Sequence, residues 1–274
     1  MPLSEFQKQV LRLLAPQRSQ ESYIAGGAPI AAHTSRYSGD FDIFHDRAEL
    51  VSEAASADVA LLNKNGLTVR WIRQGTGIWS GEVVGGAQPL KLEWAHDSGF
   101  RFFPAQADDE FGFVLHPADL TTNKVLTIAD RQEARDVYDI VSLSETVPIA
   151  AAIIAAPAKD PGYTPESLIA ALRRNISHPQ VAFDRLRSDA QIDAGNLLRT
   201  LRQSLDTAAE ISRALPDEAI GKFYIDDGSI VVPDPARLSE YEILEAHYQG
   251  IIAQPDGLPI DVLAHIYSKG GYGR

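Results

Sequence analysis

The segment Asp40-Phe41-Asp42-Ile43-Phe44 alternates between two chemistries. In a β-strand, residues i and i+2 project from the same face, so Phe41 and Ile43 need a core on one side while Asp40 and Asp42 stand together on the other. Near its start the chain therefore has to build a sheet with one sealed face and one face carrying paired carboxylates. Tyr23-Ile24-Ala25 leads into the turn Gly26-Gly27 just upstream. Downstream, Leu50, Ala54, Val59 and Leu62 give helical spacing over residues 46–62, and Asn65-Gly66 supplies a sharp turn. Strand-like runs over 67–72, 77–84 and 89–94 follow, punctuated by Gly85-Gly86.

From Pro117 the pattern becomes helical, with helices expected over 117–129 and 132–143 and a further series over 165–215. A hairpin is expected over 223–232, turning at Asp227-Gly228, with a helix beginning at Ser239. This is an α+β organisation: a small mixed-sheet domain over 1–146, then a mainly helical domain over 147–274. The boundary falls in a stretch carrying Pro148, Pro157, Pro161 and Gly162. Leu3, Phe6, Val10 and Leu13 space an opening helix rather than the continuous apolar run of a secretory signal. The most apolar stretch, 147–158, is shorter than the roughly 20 residues a bilayer crossing needs and is interrupted by proline. No membrane span is expected, and the expected location is the cytoplasm. Gly270-Gly271-Tyr272-Gly273 reads as a flexible tail.

Composition narrows the chemistry. The absence of cysteine excludes disulfides, thiolate zinc sites and a catalytic thiol. A formal net charge of −12 argues against broad affinity for nucleic acid, and the arginines between Arg173 and Arg213 are interleaved with Asp184, Asp189, Asp193, Asp206 and Glu210. The histidines are scattered without metal spacing, and neither a G-x-S-x-G elbow nor a P-loop is present. What remains is the Asp40/Asp42 pair. Magnesium takes oxygen ligands and is commonly held by one or two carboxylates together with substrate phosphates. Gly26-Gly27 adds a backbone that phosphates can approach closely, because no β-carbon obstructs it.

The run from Ile24 through Gly26-Gly27 to Arg36-Tyr37-Ser38-Gly39-Asp40-Phe41-Asp42 resembles the opening motif of the DNA polymerase beta-like nucleotidyltransferases, in particular the AbiEii-like family, which includes toxins of toxin–antitoxin systems. A second, ordered match lies in residues 117–124, ending at Lys124, with Arg131 and then Arg135-Asp136-Val137-Tyr138-Asp139-Ile140. The resemblance implies a nucleotidyltransferase domain in which Asp40 and Asp42 bind Mg2+ and Glu93 is the third metal-facing carboxylate, with Glu82 an alternative. It also implies that Lys124 meets the triphosphate and that Asp136 or Asp139, which share a helical face, orients Lys124 or the nucleotide. Gly26, Gly27, Arg36 and Ser38 complete the nucleotide-binding set. Ala28-Pro29 departs from the pattern, since a hydroxyl side chain is common there, so one phosphate contact is lost. The implied partners are an NTP, an RNA acceptor such as tRNA, and a cognate antitoxin. Transfer to a protein or small-molecule hydroxyl, and nucleotide binding without turnover, are the competing readings.

Overall fold

The computed structural model describes residues 3–250, so the expected tail at 270–273 lies outside the described residues. Helix α1 (Glu5–Leu14) opens on a reciprocal cap in which Ser4 and Gln7 bond each other's backbone N–H. The chain then forms β1 (Ser22–Ala25), α2 (Ala28–Ala32), β2 (Asp40–His45), α3 (Val51–Lys64), β3 (Thr68–Gly75), β4 (Ile78–Val84) and β5 (Leu90–His96). Three short strands follow, β6 (Phe100–Arg101), β7 (Gln106–Asp108) and β8 (Gly112–Val114), none anticipated from the sequence. Their brevity leaves too few residues for an alternating pattern to register.

A seven-stranded mixed sheet runs in the order β3-β4-β5-β2-β1-β8-β7. Strand β2 sits near its middle, antiparallel to β1 and parallel to β5. On one face Phe41, Ile43, Leu90, Leu92 and Trp94 pack with α1 and α3 in a closed apolar cluster. The alternation that buries them turns Asp40, Asp42 and Glu93 to the opposite face.

That opposite face is roofed by helices α4 (Pro117–Asp130) and α5 (Ala134–Leu143). Beyond them come α6 (Ile149–Ala155), α7 (Pro165–Asn175), α8 (Gln180–Asp184) and α9 (Ala194–Ala214). The apolar stretch noted above becomes α6, buried on every side, as expected of a short helix with no polar face. One core cluster joins Val137 and Ile140 of α5 to Ala152 and Ile153 of α6 and Leu201 and Leu205 of α9, so packing runs without interruption across residues 146 and 147. Among the described residues no helix is long and apolar enough to cross a membrane.

Strands β9 (Lys222–Asp226) and β10 (Ser229–Val231) form the expected hairpin, with Asp227 and Gly228 both at positive φ. The helix expected from Ser239 is not formed. A 3-10 segment, Pro235–Glu240, gives way to strand β11 (Glu242–Glu245), paired antiparallel with β9, and then β12 (His247–Tyr248), paired with β6. The open edge of β9 offers that segment a backbone partner and buries Leu244, an alternative that local spacing does not reveal.

Candidate active site

Between the carboxylate face of the sheet and helices α4 and α5 lies a cleft of about 520 Å³, within the range of small-molecule and cofactor sites. Its floor comes from adjacent strands: Asp42 of β2 is in register with Glu93 of β5, and Asp40 with Lys91. Ser38 donates its hydroxyl to the carbonyl and Oδ1 of Asp40 at 3.0 and 3.1 Å, while Gln7 donates to the Ser38 carbonyl at 2.7 Å. Ser38 thus supports Asp40 and does not line the cleft. Lys91 Nζ lies 2.7 Å from Glu93, and Arg135 reaches to 3.7 Å from Asp40.

The glycine turn approaches this floor closely. Ala25 is in register with Asp42, and Gly26 follows at φ +67°, a left-handed backbone that side chains disfavour. A β-carbon on Gly26 would overlap the Asp42 carboxylate, and one on Gly27 would stand 2.8 Å from the Arg36 guanidinium. Gly26 is therefore required by its turn and by Asp42, whereas Gly27, at φ −87°, is constrained only by the Arg36 guanidinium beside it.

The opposite wall is a chain of alternating charges, buried except at its exposed end, Arg131. Arg36 forks onto Asp139 at 2.8 and 3.1 Å, Lys124 lies 2.9 Å from Asp139 and 2.7 Å from Asp136, and Arg131 forks onto Asp136 at 2.8 and 3.1 Å. Asp136 and Asp139 are fully buried, but of the two only Asp139 lines the cleft, together with Arg36, Lys124 and Arg131; Asp136 stands one layer behind and anchors the lysine. Burial opposes the Lys124 charge, yet Asp139 and Asp136 outweigh it and raise the pKa, so the ammonium persists. For Asp136 burial is likewise overcome, by the Arg131 and Lys124 hydrogen bonds, and the carboxyl stays below its ordinary range.

Asp42 is the exception. Burial first, then repulsion from Asp40 and Glu93, push its carboxyl up to about 6. Negative charge is concentrated on the floor and is not neutralised by the nearby lysines. Among the described residues no three Asp, Glu, His or Cys side chains form a metal site on their own. Sequence reasoning had assigned no role to Arg135, Phe44 or Asn123, which also line the cleft. Phe44 was legible, since it continues the i, i+2 series of Asp40 and Asp42; nothing in the sequence marked Asn123.

No family model and no curated protein sequence matches this chain. Among solved structures it is similar to MenT4, a nucleotidyltransferase toxin from Mycobacterium tuberculosis, with a TM-score of 0.54 at 15% identity over 78% of this chain and 84% of that one. It also aligns with an assigned nucleotidyltransferase from H. pylori, with a TM-score of 0.45 at 16% identity over 77% of this chain and 98% of that one. At such identity the likeness to MenT4 is one of fold: the chain has a nucleotidyltransferase-like α+β fold, with the paired aspartates on its central strand.

Proposed function

We propose that this chain is a magnesium-dependent nucleotidyltransferase of the AbiEii-like kind, moving a nucleoside monophosphate from an NTP to the hydroxyl of an RNA end such as that of a tRNA. The observation that carries the reading is the juxtaposition of Asp40 and Asp42 with the Gly26-Gly27 turn on one side and Lys124 on the other, around a single cleft. The donor set suits magnesium. Burial and the neighbouring carboxylates Asp40 and Glu93 let Asp42 keep its proton up to about pH 6, and a site of two or three carboxylates is completed by the phosphates of the substrate. Sharing a fold with a nucleotidyltransferase toxin adds support.

Asp40 and Asp42 would hold the ion, with Glu93 beside them once it exchanges Lys91 for the metal. Bound there, magnesium supplies neutralisation and alignment of the triphosphate. Lys124 presents its ammonium to the phosphates, and Asp136 with Arg131 fixes that ammonium in place. Arg36 holds Asp139, and Gly26-Gly27 allows the triphosphate to lie against backbone. The acceptor oxygen attacks the α-phosphorus, the bond to the bridging oxygen of pyrophosphate breaks, and the acceptor proton passes to Glu93. In this reading the protein works in the cytoplasm beside a cognate antitoxin.

Incubating the purified chain with each α-labelled NTP, Mg2+ and total RNA tests the proposal. Label on RNA is the expected outcome. The acidic balance of the chain, −12, favours the second reading of a protein or small-molecule acceptor, and label there would replace the RNA assignment. Nucleotide binding with no transfer to any acceptor would leave only a binding protein of this fold.

A further inference from the structure

Nucleotidyl transfer sets the side from which an acceptor must come, because the entering oxygen and the leaving pyrophosphate lie roughly in line across the α-phosphorus. Strand β2, with Asp40 and Asp42, runs between β1 and β5. The Gly26-Gly27 turn that suits the triphosphate follows β1, so pyrophosphate leaves on that side. The acceptor then arrives over β5, the strand that carries Glu93 in register with Asp42.

A second hollow, of about 490 Å³, lies on the β5 side. Its wall includes Ser38 and Gly39, just ahead of β2, and Pro89 and Leu90, at the start of β5. The next residue of each run, Asp40 and Lys91, lines the catalytic cleft, and these two are in register. The two hollows therefore adjoin at the starts of β2 and β5. Gly39 forms the lip between them: it is exposed, and a β-carbon there would meet nothing within 4 Å, so no side chain bars the way.

The lining suits a nucleotide of a single strand. Phe6, Tyr37 and Pro89 offer apolar surface, and Arg187 stacks its guanidinium 4.4 Å from the centre of the Tyr37 ring. The ring is held by its hydroxyl, which donates to Asp189 at 2.6 Å. Arg187 is exposed and forms no ion pair among the described residues, in a chain of net charge −12. A guanidinium seated on an aromatic ring presents a flat cation that stacks on any base and bonds a phosphate.

We propose that this hollow is the acceptor subsite, where the 3′-terminal nucleotide of a single-stranded RNA end lies against Tyr37 and Arg187 and presents its terminal hydroxyl across Gly39 to Asp40 and Glu93. The proposal rests on the nucleotidyltransferase reading above and locates its acceptor. The contacts are stacking and charge, so the subsite takes any base.

Transfer from a labelled NTP to a short single-stranded RNA, with KM measured separately for RNA and for NTP, tests it in the wild type, Gly39→Leu and Arg187→Gln. Gly39→Leu places bulk in the passage at a residue with room for a β-carbon and no positive φ. Arg187→Gln leaves the backbone bond from Tyr37 to the residue 187 carbonyl in place. Each variant is expected to raise the KM for RNA roughly tenfold, at an unchanged KM for NTP and an unchanged melting temperature. Arg187→Gln should also flatten the log–log salt dependence of the RNA KM by about 0.7, the share of one phosphate on a single strand. An RNA whose 3′-terminal residue is abasic should lose roughly tenfold with the wild type. An RNA KM within about twofold of the wild type in either variant, or an abasic end used as well as an intact one, would overturn the proposal. So would an equal rise in the KM for NTP, since the hollow would then serve the nucleotide. If the wild type labels a protein or small molecule and no RNA, the RNA reading itself fails and the subsite with it, an outcome distinct from an unmoved KM.

Discussion

Asp42 carries the clearest conflict between stability and use. Its carboxyl is held up to about 6, against about 3.9 for an unperturbed aspartate, so the folded chain binds a proton over a pH range where the unfolded chain has released it. The stabilisation this represents is complete below about pH 4 and is lost as pH rises through 6. At pH 7.5 the bare carboxylate therefore weakens the metal-free fold. Replacing it by the neutral isostere, Asp42→Asn, is expected to raise the melting temperature by roughly 2–5 °C, about 1–2 kcal/mol after allowance for cleft water. Added Mg2+ should then stabilise the wild type and leave the variant unmoved, as scanning calorimetry with and without the ion would show. Gly26→Ala makes the opposite case. A left-handed backbone costs a side chain about 1–2 kcal/mol, and the new β-carbon meets Asp42, so urea unfolding should show at least that loss of stability.

At the scale of elements, helix α4 begins on a buried histidine. His116 caps it by accepting the N–H of Ala118 at 3.1 Å, and burial holds the imidazole pKa down to about 3. His45, on β2, is held to about 4 by burial and by Arg18. Both remain neutral in the fold and take up a proton when it opens, so their contribution is present above about pH 6.5 and is lost as pH falls toward 4. The cap alone should cost up to about 2 kcal/mol at pH 5. His116→Asn, which preserves a capping acceptor, should flatten the fall in melting temperature between pH 7 and 5; an unchanged slope would assign the acid sensitivity elsewhere. Elements of this kind differ in how far sequence revealed them. β2, β4, β5 and the β9–β10 turn were readable because alternation or an Asp-Gly pair is a local signal. The β11 segment was not, since the edge it completes lies in another part of the chain. The site divides in the same way: Asp40 and Asp42 were marked by alternation and Gly26-Gly27 by the turn they form, whereas Lys124 was marked only by the resemblance to the nucleotidyltransferase pattern. Whether Asp136 or Asp139 meets the cleft depended on how α5 rotates against α4, and the meeting of Tyr37 with Arg187 depended on tertiary packing.

Across the whole molecule, the sheet and the helical bundle are tied by more than the cleft. Residues 35–37 exchange backbone hydrogen bonds with 187–189, Tyr37 donating to the Arg187 carbonyl and Asp189 to that of Ser35, each at 2.9 Å. Arg36 joins the same loop to α5 through Asp139. The three tryptophans lie on β3, β4 and β5, whereas far-ultraviolet dichroism is dominated by the helices. Urea unfolding followed by fluorescence and by dichroism should therefore give one midpoint, and separate midpoints would mean that the two parts unfold independently. Transfer of labelled nucleotide by the wild type and by Asp42→Asn at pH 7.5 with Mg2+ decides whether the paired aspartates are the active site. The variant is expected to be folded and at least as stable as the wild type, yet to lose activity by roughly a thousandfold, on the order of 4 kcal/mol of transition-state stabilisation. Transfer within threefold of the wild type by that folded variant would contradict an active site built on Asp40 and Asp42.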